Sequence, residues 1–409
     1  MKRKVLIVFL IICLFVAIFC NCNKKETQDD IKKQQTTNID SQNKVTDDNI
    51  KAVWINYYEL SMKSENGGTK ESFTSKIDTM FKQTKALGLN TVIVQVRPFS
   101  DSFYDSNIFP YSKYITGIQG KSPGYDPLEI MCNYAKKYNL QIHAWINPYR
   151  VLYENDFEQL DEKNPAKIWK EDGLIENDSW IIETSSGIFY NPSVPQVQKM
   201  LIDGVREIIE KYPINAIHMD DYFYPSTDEN IDKIEYTAYL NNGGTRSLAD
   251  WRRDNVNTFV SGLYSAIKST NRDIKLCISP TGDISENYDT HYADVKEWVS
   301  NTGYIDYIIP QLYYGFENQS KPFKEIATQW SNLMEGSNAK IFYGLALYKC
   351  GDIDEYAGNG KCEWQNYNDV ISRQIAYLKE LPHYNGIALY SYQHILSKDI
   401  EVQSLKKLL

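Results

Sequence analysis

The 409-residue sequence predicts a (β/α)8 TIM barrel, an α/β fold in which eight parallel strands close into a cylinder surrounded by helices. Three observations support this prediction. Eight short runs of apolar or β-branched residues recur along the chain, and an amphipathic helical pattern follows nearly every one of them. Such alternation is typical of a parallel sheet. No glycine-rich loop follows the first run, which disfavours the alternative of a doubly wound open sheet.

The predicted strands are short runs that favour extended structure. They cover residues 52–55, 91–96, 140–145, 215–219, 274–279, 307–310, 340–344 and 386–391. The predicted helices repeat apolar residues at a spacing of three or four. They cover residues 71–87, 127–138, 195–211, 248–269, 292–301, 322–334 and 367–381, with 397–409 as a candidate eighth. Gly88 is expected to end the first helix as a C-cap, and Asp126 followed by Pro127 to begin the second.

The N-terminus has the pattern of an export signal. A basic start at residues 1–4 precedes an unbroken apolar run at 5–19, which suits a signal peptide better than a full membrane span. The run ends at Cys20-Asn-Cys22, and a cysteine at this junction is typical of a bacterial lipoprotein signal. We predict a signal peptide at 1–22 with lipidation of Cys22, Cys20 being the alternative; an uncleaved membrane anchor is the rival interpretation. Both predict an extracytoplasmic protein anchored to the cell membrane.

Composition divides the rest of the chain into two parts. Residues 23–50 are almost all polar and contain too little apolar surface to fold, so they are predicted to form a flexible linker. Residues 51–409 carry the barrel pattern. The net charge is −9 and no basic patch is present, so nucleic acid is not expected as a partner. Aromatic residues make up 13% of the chain, which fits stacking on sugar rings and equally fits core packing.

The cysteines and histidines do not have the spacing of zinc ligands, and no metal or other cofactor is predicted. Cys132 and Cys277 lie in a predicted helix and strand and are expected to be buried. Cys350 and Cys362 flank a polar loop, and their spacing permits a disulfide in an exported protein.

The fourth predicted strand ends in an unusual way, because its apolar run is followed by two adjacent carboxylates, Asp220 and Asp221. Alternation along the strand places His218 and Asp220 on one face. Asp220 is therefore predicted to point into the barrel mouth, where barrels of this type keep their active sites. Asp221 begins the loop that follows. The alternative is structural, an Asp pair that caps the next turn.

Other strand ends also carry polar or aromatic groups where the strand bodies carry aliphatic ones. Gln95 and Arg97 share a predicted inward face. Long loops at 151–193 and 221–246 are expected to shape a cleft above them. A polar mouth lined by aromatic rings suits a polysaccharide or oligosaccharide. The candidate binding residues are Gln95, Arg97, Tyr104, His143, Trp145, Asn147, Tyr149, Arg150, His218, Tyr222, Gln311, Tyr313 and Tyr392.

Glycoside hydrolysis needs two carboxyl groups on opposite sides of the scissile bond, one of them protonated near neutral pH. Asp220 is the candidate for the ionised group, either nucleophile or base, with Arg97 or His218 to hold its charge. The second carboxyl stays open at this point. The candidates for it are Asp221, Asp101, Asp283 and Glu286.

Six motifs lie at or near these strand ends. They are Ala52-Val-Trp54, Gln95-Val-Arg-Pro98, Ala144-Trp-Ile-Asn-Pro-Tyr-Arg150, Asn191-Pro192, His218-Met-Asp-Asp-Tyr-Phe-Tyr-Pro225 and Ile305-Asp-Tyr-Ile-Ile-Pro-Gln-Leu-Tyr313. Together they resemble the glycoside-hydrolase-like family 10 domain, which is found in many bacterial lipoproteins. The resemblance implies a barrel glycosidase in the cell envelope that acts on cell-wall glycan. One form of this implied substrate is glycan strands without their stem peptides. It also implies a catalytic role for Asp220 and, less directly, for Asp221.

Two other functions belong to different classes. A glycan-binding lipoprotein without catalysis, on a degenerate barrel, is the alternative, because Ser279 and Pro280 rather than a carboxylate stand at the tip of the fifth strand. A peptidase or esterase is disfavoured, since the sequence has neither a Gly-x-Ser-x-Gly motif nor a metal-binding histidine pair.

Overall fold

A computed structural model describes residues 49–65 and 68–409. This part of the chain contains one closed parallel sheet and a second sheet of three strands. The strands are β1 (Ile50–Ile55), β2 (Thr91–Arg97), β3 (Gln141–Ile146), β4 (Arg150–Leu152), β5 (Ile181–Thr184), β6 (Gly187–Tyr190), β7 (Ala216–Met219), β8 (Lys275–Ile278), β9 (Tyr307–Ile308), β10 (Gln311–Leu312), β11 (Lys340–Leu345) and β12 (Tyr384–Leu389).

The barrel runs in the order β1-β2-β3-β7-β8-β9-β11-β12, and β12 pairs with β1 to close it. Every pairing around the ring is parallel. The predicted (β/α)8 barrel is therefore confirmed. Each of the eight predicted strands takes one place in the ring.

The sixth place in the ring is the least regular. β9 pairs with the start of β11 and β10 pairs with its end, so two short strands share this place. Pro310 lies between them and has no backbone N–H to donate to a ladder. The single strand predicted at 307–310 is thus two strands divided by this proline.

Helices follow the barrel strands, as the sequence predicted. They are α1 (Tyr57–Leu60), α2 (Lys70–Ala86), α3 (Lys113–Thr116), α4 (Pro127–Lys137), α5 (Pro165–Glu171), α6 (Ile175–Asp178), α7 (Pro195–Lys211), α8 (Lys233–Asn241), α9 (Leu248–Thr270), α10 (Ile284–Asp289), α11 (Val295–Ser300), α12 (Phe323–Leu333), α13 (Glu363–Asn366), α14 (Val370–Leu378), α15 (Tyr392–Ser397) and α16 (Asp399–Leu405). The N-cap of α4 is Asp126, whose side chain accepts from the N–H of Glu129. None of the helices in the described residues has the length and apolar character of a membrane span.

Side chains of the barrel strands separate into two layers, because alternate residues of a strand face opposite sides. In β1, Ala52 and Trp54 belong to a small cluster inside the cylinder, whereas Val53 and Ile55 pack in the larger cluster between strands and helices. Trp54 and Trp145 are inner residues near the C-terminal ends of β1 and β3. They therefore form the floor of the barrel mouth.

The two long loops carry structure of their own. The first contains the three-stranded antiparallel sheet β4-β6-β5. The second contains α8 and is attached to α9 by an ion pair between Asp232 and Arg252, whose side chains are both fully buried. Both loops leave from the C-terminal ends of barrel strands, as expected for segments that shape a cleft.

Cys132 and Cys277 are buried, as predicted. Cys350 and Cys362 are both free thiols, so the disulfide that their spacing permits is not formed. Cys350 packs in the outer hydrophobic layer, while Cys362 is half-buried at the N-cap of α13. The predicted signal at 1–22, its lipidation site and all but the last residues of the predicted linker lie outside the described residues.

Candidate active site

A cleft of about 200 Å³ opens at the end of the barrel where the parallel strands have their C-termini. The ten described residues that line it are all polar or aromatic. They are Trp54, Trp145, Asp220, Asp221, Tyr222, Ser279, Gln311, Tyr313, Tyr348 and Tyr390. The cleft is smaller than the roughly 300–1,000 Å³ of sites for drug-sized ligands, so it fits a single sugar ring rather than an oligosaccharide.

His218 lies inside the barrel, close to this cleft. Its Nε2 accepts from the indole N–H of Trp54 at 3.1 Å, and its Nδ1 lies 3.2 Å from Sγ of Cys277. An indole N–H can only donate, so Nε2 carries no proton and Nδ1 carries it. Burial, and then the neighbouring His143, lowers the pKa of His218 well below its usual value. His218 is therefore a neutral support for Trp54, and it does not hold the charge of Asp220 as the sequence suggested.

Asp220 follows β7, lines the cleft and is only 6% exposed. Its Oδ2 accepts from the side-chain amide of Asn147. Oδ1 of Asn147 accepts from Nε2 of Gln95 at 2.5 Å, and Oε1 of Gln95 accepts from the backbone N–H of Tyr57 at 3.1 Å. A backbone N–H can only donate, so it sets the orientation of both amides in turn. The relay leaves Asn147 as a donor to Asp220, and a donated hydrogen bond favours the ionised carboxylate.

The two carboxyls of the cleft do not ionise as ordinary aspartates. Burial raises the pKa of both Asp220 and Asp221, and the charge of Asp221 raises that of Asp220 further. The cation of Arg150 opposes the rise at both. Oδ1 of Asp220 is buried, and no residue in the described part of the chain donates to it. The pair therefore keeps a proton at a pH where a solvent-exposed aspartate has lost it.

Arg150 stands at the start of β4 and joins the carboxyls to an aromatic surface. Its guanidinium lies 4.4 Å from the ring centroid of Tyr222 and 4.9 Å from that of Tyr153. Its Nη1 donates to the hydroxyl of Tyr153 at 3.0 Å. Tyr153 and Tyr222 are about half exposed, so their rings extend from the cleft toward solvent. Cation–π contacts of this kind hold both the cation and the rings in place.

A second aromatic group comes from the later strand ends. The ring centroids of Tyr313, Tyr348 and Tyr390 are 5.8 to 6.0 Å from one another. The ring of Trp54 lies 6.0 Å from that of Tyr390. Burial raises the pKa of Tyr390, and Asp220 is among the charges that raise it further, so this hydroxyl stays protonated near the carboxyl pair. These rings form an apolar wall with hydroxyl groups at its edge.

Comparison with known proteins places this cleft in a family. The model of the family described as glycosyl hydrolase-like 10 matches residues 49–358. The chain belongs to this family. The resemblance drawn from the strand-end motifs is therefore confirmed, and the Asp220–Asp221 pair lies within the matched region.

Several glycosyl hydrolases are similar to this chain in sequence. Glycosyl hydrolase YngK of Bacillus subtilis (strain 168) is 32% identical over 373 residues, which cover 86% of this chain and 70% of that protein. Glycosyl hydrolase DigH of Escherichia coli (strain K12) is 28% identical over 351 residues, which cover 80% of this chain and 76% of that protein.

Solved structures of low sequence identity share the fold of this glycosyl hydrolase-like 10 chain. The glycoside hydrolase domain of PgaB (BpsB) from Bordetella bronchiseptica has a TM-score of 0.58 at 10% identity, over 88% of this chain and 98% of that chain. An Anoxybacillus α-amylase has a TM-score of 0.52 at 12% identity, over 89% and 79% of the respective chains. At such identities the likeness shows the barrel fold alone.

Seven of the predicted binding residues of this family member lie at the cleft or are joined to it by the contacts described above. Four of them line it directly, and three reach it through the amide relay or the guanidinium. They are Trp145, Tyr222, Gln311 and Tyr313, followed by Gln95, Asn147 and Arg150. Their predicted contacts with a sugar remain predictions.

Arg97 does not face the mouth, although simple alternation placed it beside Gln95. The pairing of β2 with β3 shifts between these residues, so that Arg97 pairs with Ile146. This bulge turns its side chain outward. The guanidinium lies 4.5 Å from the ring centroid of Phe109, a residue of the outer hydrophobic layer. The expectation that Arg97 holds the charge of Asp220 is therefore wrong, and Arg150 stands near the pair instead.

Asp101 is also placed away from the cleft. It is 1% exposed in the loop after β2, where burial raises its pKa to about 6 and hydrogen bonds from Ser112 and Gln119 oppose the rise. It does not line the cleft and does not face Asp220 across it. The loop folds back over the outside of the barrel, where Ser102 bridges to Tyr111. Asp101 is therefore not the second carboxyl that the sequence left open.

Four further candidates are buried in packing positions. The ring of Tyr104 packs on Tyr212 and that of Tyr149 on Phe259, both outside the barrel. The hydroxyl of Tyr392 donates to Gln83 on α2. His143 lies inside the barrel with its ring stacked on that of Tyr307, at 6.3 Å between centroids. The sequence pattern placed three of them in the mouth because it does not separate a strand end from the turn beyond it, and it placed His143 there because alternation does not give the depth of an inward residue within the barrel. The residues concerned are Tyr104, Tyr149, Tyr392 and His143.

Four residues that line the cleft were not among the candidates. They are Trp54, Ser279, Tyr348 and Tyr390. Trp54 is the inward residue next to the end of β1, and Tyr390 directly follows β12. The same strand-end rule that found Asp220 identifies these two once the strand boundaries are known. Tyr348 lies in a short helical turn after β11, which the sequence pattern did not reveal.

The remaining carboxyl candidates, Asp283 and Glu286, lie after β8 and are engaged by one lysine. Nζ of Lys321 lies 2.9 Å from the carboxylate of Asp283 and 3.1 Å from that of Glu286. Asp283 also caps α10 by accepting from two backbone N–H groups. Within the described residues, no group of three or more His, Cys, Asp or Glu side chains has the arrangement of a metal site.

Proposed function

We propose that this protein hydrolyses glycosidic bonds in bacterial cell-wall glycan of the peptidoglycan type, with Asp220 and Asp221 as its acid–base pair. The observation that carries the proposal is the pair itself, two carboxyls on an aromatic cleft whose pKa values burial raises. A general acid must hold a proton near neutral pH, and a general base must have lost one. Two neighbouring carboxyls of raised pKa, one protonated and the other ionised, supply one group of each kind.

The surroundings favour a particular division of these roles. The amide of Asn147 donates to Asp220, which favours the ionised form of that carboxyl. Asp221 is half-buried and therefore more open to a leaving group and to water. In the free protein burial raises the pKa of Asp220 to about 7 and that of Asp221, which accepts from Gln311, to about 6, so the proton rests more on Asp220. We assign the negative charge to Asp220 and the proton to Asp221 in the complex with a sugar that donates a further hydrogen bond to Asp220.

The shape of the site suits one sugar ring of a longer chain. The cleft takes one ring, and three tyrosines beside it are between 46% and 54% exposed. They are Tyr58, Tyr153 and Tyr222. Exposed aromatic faces stack on the C–H faces of sugars, so neighbouring rings of a polymer have surfaces to rest on. The choice of cell-wall glycan, including strands without stem peptides, follows from the family resemblance and from the export pattern of the N-terminus.

The proposed location is the outer face of the cell membrane, with a lipid on Cys22 and residues 23–50 as the tether. Cys22→Ser should release the protein from the membrane fraction, whereas Cys20→Ser should leave it there. The measurement is fractionation followed by detection of the full chain. Retention of the Cys22→Ser variant on membranes would assign the anchor to Cys20 or to an uncleaved apolar segment.

The enzymatic proposal is tested with purified protein and defined glycans. Peptide-free cell-wall glycan should release new reducing ends, and starch-type glucans should not. Asp220→Asn should abolish the release while its circular dichroism spectrum and Tm stay those of a folded protein. Full activity of Asp220→Asn would remove Asp220 from the mechanism.

A glycan-binding protein without catalysis is the second candidate, and one observation favours it. Among the described residues that line the cleft, Asp220 and Asp221 are the carboxyls, and they are neighbours in sequence rather than opposed across the opening. Binding of cell-wall glycan by isothermal titration calorimetry, with no reducing ends released after long incubation, would select this function.

A further inference from the structure

The arrangement of the two carboxyls limits which hydrolytic mechanism they can perform. A double displacement through an enzyme nucleophile needs carboxyl groups on opposite faces of the sugar, about 5–5.5 Å apart, and direct inversion needs about 6.5–9.5 Å with room for a water. Asp220 and Asp221 are consecutive residues that both line the cleft. They are poorly placed to straddle a sugar ring.

Other carboxyls near the cleft are already engaged. Glu286 and Asp283 share the ammonium group of Lys321. Glu59, after β1, accepts from the backbone N–H groups of Asn56 at 2.7 Å and Gln393 at 2.5 Å. None of these three carboxyls is among the described residues that line the cleft, where Asp220 and Asp221 are the carboxyls.

We propose that the missing nucleophile is the 2-acetamido group of the substrate, so that the cleft takes an N-acetylhexosamine, Asp220 holds the acetamido group and Asp221 serves the glycosidic oxygen. This inference rests on the proposed hydrolase function and names the sugar that the site requires. The carboxylate of Asp220 accepts from the acetamido N–H and orients the amide. Asp221 serves first as the acid and then as the base.

The first step replaces one bond at C1 by another. The acetamido oxygen attacks C1 while the bond from C1 to the glycosidic oxygen breaks, and the bond pair leaves with that oxygen, which takes the proton of Asp221. The product is a bicyclic oxazolinium ion, whose N–H stays on nitrogen and whose positive charge faces ionised Asp220. A buried carboxylate stabilises such a cation more than water does.

The second step consumes one water. Water attacks C1 and gives a proton to the carboxylate of Asp221, while the bond from C1 to the oxazolinium oxygen breaks and its pair returns to the acetamido group. The two attacks at C1 come from opposite faces, so the product retains its anomeric configuration. No reactant other than water is needed, and both carboxyls end as they began.

Two features of the cleft fit an acetamido group. Oδ1 of Asp220 is a buried acceptor to which no described residue donates, and the N–H of a substrate acetamido group can donate to it. The rings of Trp54, Tyr313, Tyr348 and Tyr390 form an apolar wall, with the hydroxyl of Tyr390 protonated near Asp220. Such a wall suits the methyl group, and a hydroxyl at its edge can donate to the acetamido oxygen.

The binding of an N-acetyl sugar also settles which carboxyl keeps the proton. An N–H donated to Asp220 stabilises its ionised form, as the amide of Asn147 already does. The shared proton is then left on Asp221, where the first step needs it. A sugar without the N-acyl group provides no such donor in the same place.

The inference is tested by changing the acyl group of one glycan. Peptide-free cell-wall glycan is N-deacetylated and then re-acylated with acetyl or with trifluoroacetyl groups, so that both samples share their handling. The acetyl sample should regain wild-type kcat/KM. The trifluoroacetyl sample should be cleaved at least about 10³-fold more slowly, because an oriented internal nucleophile contributes an effective molarity of about 10⁵–10⁸ M that fluorine weakens.

Equal cleavage of the two samples would overturn the inference and leave the hydrolase function standing. Failure of the wild-type protein to cleave any cell-wall glycan would overturn both. Labelling of Asp220 by a 2-deoxy-2-fluoro glycoside, seen by mass spectrometry, would show an enzyme nucleophile and also overturn it. Glu286→Gln should cleave the acetyl sample at close to the wild-type rate, and a loss of about 10²–10⁴-fold would instead make Glu286 the second carboxyl.

A binding measurement gives a readout that does not depend on turnover. The thiazoline of N-acetylglucosamine copies the bicyclic intermediate, so it should bind at least about 10²-fold more tightly than N-acetylglucosamine itself, as transition-state analogues do. Asp220→Asn should lose this difference. Equal affinity of the two compounds for the wild-type protein would contradict the proposed mechanism.

Discussion

Two buried aspartates in the same stretch of chain, Asp220 and Asp232, differ in how completely their oxygens are hydrogen-bonded. Asp232 forms a fully buried ion pair with Arg252, and both of its oxygens accept from the guanidinium, at 2.6 and 2.8 Å. The remaining donors of Arg252 reach the hydroxyl of Tyr292 and two backbone carbonyls. Asp220 has one donor, from Asn147, and one oxygen without any in the described part of the chain.

The difference indicates that Asp232 stabilises the fold, whereas Asp220 has an oxygen free to accept a hydrogen bond from a ligand. A buried charge with all its partners in place is costly to disturb, because removal of either partner strands the other. A buried carboxyl with an unmet acceptor already lowers stability, and such groups persist mainly at functional sites. Substitution in the carboxyl pair should therefore lower mainly the activity, and substitution of Asp232 should lower mainly the stability.

After the complete loss of activity expected for Asp220→Asn, the largest effect is expected from Asp221→Asn. Loss of the acid–base group should lower kcat/KM on peptide-free cell-wall glycan by up to about 10⁴-fold, the usual upper range for general acid–base catalysis. Because the substitution removes a half-buried acidic group whose charge raises the pKa of Asp220, the Tm should not fall. Reducing-end release and differential scanning calorimetry measure the two quantities. A fall in Tm with unchanged activity would reverse the comparison.

Asp232→Asn should do the opposite. It leaves the guanidinium of Arg252 buried without a counter-charge, which typically costs about 3–5 kcal/mol. Urea unfolding should show this loss, while activity per folded molecule stays near that of the wild type. Asp250→Asn is the matched control, because Asp250 pairs with Arg253 at the surface of the same helix, α9, and little stability should depend on it. Similar losses for both variants would contradict the stated role of the buried pair.

The fold was predictable because its signals are local. Alternation of strand and helix patterns, with Gly88 and Asp126 at helix ends, requires only neighbouring residues to be read correctly. The place of Asp220 followed from the same logic, since a residue after a barrel strand enters the mouth unless the strand is irregular. β7 is regular, and its pairing with β3 and β8 shows no shift.

The failures in the site arose where the local pattern breaks. One bulge in β2 turned Arg97 outward, and no propensity rule locates a bulge inside a hydrophobic run. Asp101 lies on a loop whose path depends on long-range packing. Arg150 was found as a candidate, but its place beside the carboxyl pair depends on the small sheet to which it belongs. Contacts between loops are set by tertiary structure, which strand and helix patterns do not encode.

A smaller effect is expected from Asn147→Ala, which removes the donor to Asp220 but no carboxyl. A reacting group displaced by about 1 Å can cost about 10²-fold in rate, so a kcat loss of this order is expected. The ionised form of Asp220 also loses a hydrogen bond, so the pKa of Asp220 should rise and the acidic limb of the pH–rate profile should move to higher pH. A purely structural role would lower the rate without moving this limb.

Gln95→Leu provides the companion measurement, because Gln95 acts on Asp220 only through Asn147. The shift of the limb should have the same direction and be smaller. An equal or larger shift for Gln95→Leu would mean that Gln95 has a direct contact with the substrate. Unchanged profiles for both variants would mean that the relay does not set the charge of Asp220.

The smallest effect concerns stability as a function of pH. Burial raises the folded-state pKa of Asp220 above the ordinary value of 3.8, so between these values the folded state binds more protons than the unfolded state. The free energy of unfolding of the wild type therefore decreases as the pH rises from the ordinary pKa to the raised pKa of Asp220. Asp220→Asn removes the group, so the free energy of unfolding of the variant relative to wild type should increase from about pH 4 to about pH 7, by about 1 kcal/mol or more.

Asp250→Asn should show the reverse slope. Hydrogen bonds from Ser247 and then Arg253 lower the pKa of Asp250, so its contribution to stability is present above the ordinary pKa and is lost as the pH falls. The free energy of unfolding of the variant relative to wild type should therefore decrease as the pH rises from the lowered pKa to the ordinary one. Urea titrations at several pH values give both slopes. If the free energy of unfolding of Asp220→Asn relative to wild type is the same at every pH, the carboxyl of Asp220 ionises in the folded protein as it does in the unfolded chain. The contrast between Asp220 and Asp232 then no longer explains why Asp220 suits catalysis.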